Sequence, residues 1–165
     1  MNEKVEGEKL IKEALKKDIK NPTVWHFYAI YYKQEKYITV KNRNYNQSMK
    51  SYKCALMYDP TNTVILRDLT YLQLQLRQIS AFSESAKKAL ELKSNIMVNW
   101  VTFSVAHYLT GNYSLAYKAI DSCRSMQETN LKEQEKNEII LYEALLLQKQ
   151  KKYNEIITLL EANQK

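Results

Sequence analysis

The sequence predicts an all-α fold of antiparallel helix pairs stacked one on the next, and three observations predict it. Only two Gly and two Pro occur in 165 residues. Apolar side chains recur at i, i+3, i+4 and i+7 through most of the chain, the spacing of helices with one buried face. The third observation is that these helices repeat at intervals near 34 residues. Turn-rich β-sandwiches and barrels need breakers every ten residues or so, and glycine-rich phosphate loops need clustered glycines. Gly7 and Gly111 supply neither.

Residues 3–18 carry Gly7, Ile11 and Ala14 in the phase of a second helix whose first helix is missing. Asn21-Pro22-Thr23 then makes a turn with Pro at the first helical position. Trp25, Leu66, Trp100 and Ile140 fill one first-helix slot, 41, 34 and 40 residues apart. Ser48, Phe82, Ala116 and Ile156 fill a second-helix slot, and Tyr52, Ala86, Ile120 and Leu160 follow four residues later. Ala55, Ala89 and Cys123 take the next close-packing position, Pro60 the terminal proline, and Tyr45, Ile79, Tyr113 and Tyr153 head the second helices. This phase is that of the tetratricopeptide repeat. The fold class expected is therefore a tetratricopeptide-type α-α superhelix, a single array over 1–165. Its parts are a lone second helix at 3–18 and full repeats at 22–60, 63–93, 97–126 and 137–164. The small residue after the Leu slot is Ala29, Thr70, Ser104 and Ala144, never Gly, so the repeats are degenerate. Neither end carries a polar capping repeat, and a fragment of a longer solenoid is expected.

Two stretches exceed the 34-residue period: Glu35 to Asn44, between the helices of the first full repeat, and Met126 to Lys136, between the last two repeats. Such insertions map to loops and often to a binding face.

No catalytic constellation is present. The chain has no glycine-rich phosphate loop, no Cys-x-x-Cys, no His-x-x-x-His and no Gly-x-Ser-x-Gly. His107 takes a core Tyr slot, and Cys54 and Cys123, 69 residues apart, read as small apolar core residues. No cofactor, metal or small-molecule substrate is expected, and catalysis is not. Proteins of this architecture bind other proteins along the first helices. The groove slots read His26, Arg67, Val101 and Leu141, then Ile30, Tyr71, Val105 and Leu145 one turn on. Only Arg67 is a constitutive cation there, so the groove suits an apolar helix better than a carboxylate tail.

The net charge of +7 is unevenly placed. Lys33, Lys36, Lys41, Arg43, Lys50 and Lys53 stand against Glu35 alone within 33–53, with Tyr31, Tyr32, Tyr37, Tyr45 and Tyr52 interleaved. Lys and Arg release counterions from a phosphate backbone and an exposed Tyr stacks on unpaired bases. Two readings stand: an RNA-facing patch, or a solvated loop beside core tyrosines, with Tyr45 and Tyr52 framework in either case. No apolar run approaches the roughly 20 residues of a membrane span. The N-terminus shows neither a signal core nor a transit pattern, so a cytoplasmic setting without membrane contact is expected.

Three stretches carry a more specific likeness: NPTVWHFYAIYYKQEKY; YNQSMKSYKCALMYDPTNTVILRDLTYLQLQLRQISAF; and NWVTFSVAHYLTGNYSLAYKAI. Within them, Asp59-Pro60 through Asn62, Ile65-Leu66-Arg67-Asp68-Leu69 and Leu72-Gln73-Leu74-Gln75 depart from generic repeat sequence, as do Trp25-His26-x-Tyr28 and Ala106-His107-Tyr108-Leu109. Over roughly residues 5–160 the chain resembles the auxiliary subunit of the N-terminal acetyltransferase A (NatA) complex. It departs from that family in the basic insertion at 36–44 and through 126–137. The resemblance implies a helical scaffold that wraps a catalytic acetyltransferase subunit and docks it on the ribosome, with acetyl-CoA bound by the partner and the basic patch a candidate rRNA contact. The alternative is an adaptor of another complex, holding a helical peptide in its apolar groove.

Overall fold

A computed structural model describes residues 2–34, 41–124 and 132–163. Among these residues every regular element is an α-helix: α1 (Asn2–Lys17), α2 (Pro22–Gln34), α3 (Lys41–Tyr58), α4 (Thr63–Gln75), α5 (Ile79–Leu92), α6 (Met97–Leu109), α7 (Tyr113–Arg124), α8 (Glu133–Lys149) and α9 (Tyr153–Ala162). The chain divides into two units, residues 1–81 and 82–165.

In the first unit α1 packs on α2, α2 on α3 and α3 on α4. Asparagines start two of these helices. Asn21 Oδ1 accepts from the N–H groups of Thr23 and Val24, at 3.0 and 3.3 Å, and Asn62 Oδ1 accepts from Val64 and Ile65, both at 3.2 Å. Each satisfies amides that the first helical turn leaves unpaired. Asn62 Nδ2 also donates to Asp59 Oδ2 at 2.9 Å, so the Asp59–Asn62 turn braces itself between α3 and α4. The core gathers Ala29, Met49, Tyr52, Ala55, Ile65, Leu69 and Leu72, with Trp25, Tyr45 and Leu76 packed around it. Ala29 and Ser48, both fully buried, let α2 and α3 approach closely, and Ser48 Oγ donates to the Ala29 carbonyl at 2.7 Å.

One expectation needs correction here. α3 begins at Lys41 rather than at Tyr45. Residues 41–44 of the basic insertion therefore add a helical turn and do not belong to a loop. Nothing in Lys41-Asn42-Arg43-Asn44 breaks a helix, and a turn of polar residues carries no apolar period from which its start could be read.

The second unit takes α5 from Phe82 onward and then α6 to α9, with α6 on α7, α7 on α8 and α8 on α9. Ala116, Ile120 and Leu146 form a core bordered by Val101, Tyr108, Tyr117, Ile139 and Tyr142. The close approach of the first unit recurs with the roles exchanged. Ser104, on the first helix of its pair, donates to the Ala116 carbonyl of the second at 2.7 Å, and its Oγ lies 3.2 Å from Tyr142 Oη. Burial pushes the Tyr142 phenol above its ordinary value. Trp100 Nε1 donates to the carbonyl of Ser94, six residues back, as Trp25 does to Ile19, both at 2.7 Å. The aromatic slot thus closes the turn before its own helix.

Helices α5, α7 and α9 start at Ile79, Tyr113 and Tyr153, as the periodicity expects. The turn before each is built alike. Arg77, Gly111 and Lys151, each two residues before the new helix, have φ of 55°, 79° and 60°. Around Arg77, the N–H of Gln78 reaches the Gln73 carbonyl at 2.9 Å and that of Arg77 reaches Leu74 at 3.0 Å; the same paired bonds recur around Gly111 and Lys151. This is the Schellman closure, in which a left-handed residue satisfies the last carbonyls of a helix. Glycine fills that position once in three.

Candidate functional site

His26, on α2, and Asp68, on α4, stand 42 residues apart in sequence and meet in space. The His26 Nε2–H donates to Asp68 Oδ2 at 2.8 Å, with the two side chains 17% and 24% exposed. The imidazole lies against the buried Tyr52 ring at a centroid distance of 5.7 Å and against Phe27 at 6.4 Å. Burial first, and then the nearby Asp68 charge, push the Tyr52 phenol up to about 12. The other oxygen, Asp68 Oδ1, is 3.8 Å from Arg67 Nε, and the Arg67 side chain is 56% exposed. A polar contact in a mostly apolar interface fixes which residues face each other, because either partner alone leaves a half-buried polar group unpaired. Asp68 thereby takes a structural role that its place in the repeat does not announce.

The expected groove residues of the first unit therefore differ among themselves. Arg67 and Tyr71 face solvent; Ile30 packs against the core, and His26 is held by Asp68. Phe27, absent from the expected set, is 58% exposed beside His26. In the second unit Leu141 is exposed, Val105 and Leu145 are half-buried, and Val101 borders the core. Val98, one turn before Val101, is also exposed and extends the apolar character of that face.

Of the expected basic patch, Lys50 and Lys53 are exposed on α3 and Lys33 is half-buried at the end of α2. Lys36 and Tyr37 lie outside the described residues, as do the side chains of Lys41 and Arg43. The described tyrosines near the patch are packed. Tyr28 and Tyr32 share a hydroxyl contact at 2.9 Å, Tyr32 Oη donates to Glu8 Oε1 at 3.3 Å, and Tyr31 sits edge-on to Tyr32 at 5.5 Å. They tie α1 to α2, and burial with the Tyr28 hydrogen bond raises the Tyr32 phenol far above its ordinary value. Tyr45 borders the core and Tyr52 is within it. These tyrosines serve packing, which leaves the exposed lysines as the patch's accessible chemistry.

His107 is half-buried, edge-on to Phe103 at 4.5 Å. Cys54 is a free thiol, and the side chain of Cys123 lies outside the described residues. Among the described residues no group of three His, Cys, Asp or Glu could hold a metal ion, and no helix is long and apolar enough to cross a membrane. A pocket of about 430 Å³ in the second unit is lined by α7, α8 and α9 residues including Tyr117, Glu143, Asn154 and Thr158, without histidine or cysteine.

No family model matches the chain. It is 34% identical over 152 residues to the N-terminal acetyltransferase A complex auxiliary subunit NAA15 of Arabidopsis thaliana, across 90% of this chain and 16% of that protein. It is 29% identical over 145 residues to the human N-alpha-acetyltransferase 16, NatA auxiliary subunit, across 87% of this chain and 16% of that protein. The chain spans about a sixth of the length of these curated relatives. Among solved structures, that of Naa15/Naa10 bound to HypK-THB contains a chain that superposes with a TM-score of 0.69 at 28% identity, covering 99% of this chain and 24% of that one. YrrB, a TPR protein, superposes with a TM-score of 0.74 at 14% identity, which shows the tetratricopeptide fold alone.

Proposed function

We propose that this chain, whose homologues are auxiliary subunits of the N-terminal acetyltransferase A complex, is a non-catalytic scaffold segment of such a complex that supports the catalytic subunit and its docking on the ribosome. The observation that carries the reading is the 34% identity to a NatA auxiliary subunit along nine-tenths of the chain. The physics of the site fits a scaffold. The His26–Asp68 contact joins two motifs of the resemblance, Trp25-His26-x-Tyr28 and Ile65-Leu66-Arg67-Asp68-Leu69, and sets the register of α2 against α4. A scaffold acts by holding partner surfaces at fixed spacing, so residues that set helix register serve its function without touching a substrate.

The ribosome-facing part of the proposal rests on charge. Residues 1–81 hold 14 basic and 8 acidic side chains, whereas residues 82–165 hold 11 and 10. A surface of that sign attracts an RNA backbone. The setting proposed is the cytoplasm, with no cofactor bound by this chain. An adaptor that holds a helical peptide is the second reading, favoured by the exposed Val98 and Leu141. Affinity purification of the full-length protein from its own cells separates the two. The scaffold reading expects an acetyltransferase catalytic subunit among the co-purifying proteins. Recovery of a helical partner without one favours the adaptor.

A further inference from the structure

Two places in the sequence set an arginine three residues before a hydroxyl side chain: Arg67 before Thr70, and Arg77 before Ser80. The structure separates them. Thr70 is 2% exposed and its Oγ1 donates to the Leu66 carbonyl at 2.7 Å, so no enzyme reaches it in the folded chain. Arg77 and Ser80 are both exposed. Ser80 is the second residue of α5, and Arg77 is the left-handed residue of the turn just before it. We propose that Ser80 is a phosphorylation site for an arginine-directed serine kinase, with Arg77 as its recognition residue.

The first turn of a helix lacks half of its hydrogen bonds and frays readily. Unwinding only Ile79 and Ser80 presents Arg77 to Ser80 as an extended strand while the buried Phe82 stays packed. In the transfer, Ser80 Oγ attacks the γ-phosphorus of magnesium-bound ATP. The Oγ–P bond forms as the β,γ-bridging P–O bond breaks, ADP leaves, and the serine proton passes to the kinase's carboxylate base. The product suits its place once α5 closes again. A phosphate carries a charge of about −2 and three acceptor oxygens, and it is stabilising at a helix N-terminus near an arginine.

The test incubates the full chain with the catalytic domain of an arginine-directed serine kinase and magnesium-ATP, then maps phosphate within the tryptic peptide Gln78–Lys87, or Asp68–Lys87 where Arg77 is replaced. Phosphate is expected on Ser80 and absent in Ser80→Ala. Arg77→Gly keeps the left-handed turn while removing the guanidinium, and is expected to slow incorporation at least tenfold. Phosphate on Ser83 or Ser85 instead, no incorporation, or an Arg77→Gly chain modified at the parent rate would each overturn the proposal.

Discussion

The His26 Nε2–H donates to Asp68 Oδ2 at 2.8 Å, linking the first helices of two successive repeats over the buried Tyr52. A hydrogen bond to a half-buried carboxylate contributes about 1–2 kcal/mol. His26→Ala and Asp68→Ala are each expected to destabilise the protein by roughly that amount. In a double-mutant cycle read by urea unfolding, the pair should show a coupling of about 1 kcal/mol, because the second substitution removes a group already left unpaired. Strictly additive losses would show that the two side chains do not act together.

The turns offer a test of opposite sign. Arg77 and Lys151 hold φ of 55° and 60°, a region that costs a side-chain-bearing residue about 1 kcal/mol. Arg77→Gly and Lys151→Gly are expected to stabilise by roughly 0.5–1 kcal/mol, the relief of strain exceeding the added entropy of the unfolded chain. Gly111→Ala is expected to destabilise by about 1 kcal/mol, since a Cβ there meets open space and its φ of 79° is the sole obstacle. Thermal melts of the three variants check the signs.

Gly7 behaves differently, although it is also a glycine. It lies inside α1, and a Cβ added there would meet only Tyr31 Cε2 at 3.9 Å, an ordinary contact. Gly7→Ala should stabilise by about 0.5–1 kcal/mol through helix propensity alone. A drop in melting temperature would show that α1 packs more tightly on α2 than these distances indicate.

Alkaline pH acts on the same core. The Tyr52 phenol is raised from its ordinary 10.0 to about 12, so the folded state holds that proton more tightly than the unfolded state. The associated stability is complete below pH 10 and is lost as pH rises through 12. Between those values the parent is expected to lose on the order of 1–2 kcal/mol more than Tyr52→Phe, with the curves parallel below pH 9. Urea titrations at fixed pH values make the comparison.

The basic surface is tested without disturbing the core, because Lys50 and Lys53 are exposed on α3. Lys50→Glu with Lys53→Glu is expected to weaken RNA binding and to lower the slope of log affinity against log salt by roughly 0.7–0.9 for each lysine–phosphate pair removed. An unchanged slope in filter binding with ribosomal RNA would detach these two lysines from the proposed RNA surface.

Packing within a helix pair was legible in the sequence, and contacts between first helices were not. Ala29, Ser48, Ala55, Ala86, Ala116 and Ile120 recur in phase because close approach demands small or well-shaped residues at fixed intervals, and all six are buried. The starts of α5, α7 and α9 follow from the same period. His26 and Asp68 escape it because periodicity assigns each residue to a face of its own helix and says nothing of a polar partner 42 positions away. Periodicity alone accordingly puts His26 in the groove. The extra turn of α3 escapes for the converse reason: a polar overhang has no apolar signature. The Arg77 and Lys151 turns are hidden by the absence of the glycine that normally marks them.

The central claim, that this chain serves an N-terminal acetyltransferase as its scaffold, is tested most directly by depleting the full-length protein in its own cells and measuring by mass spectrometry the fraction of protein N-termini that are acetylated. The scaffold account predicts a fall across many proteins, restored by re-expression of the parent sequence. An unchanged acetylated fraction after complete depletion would contradict it.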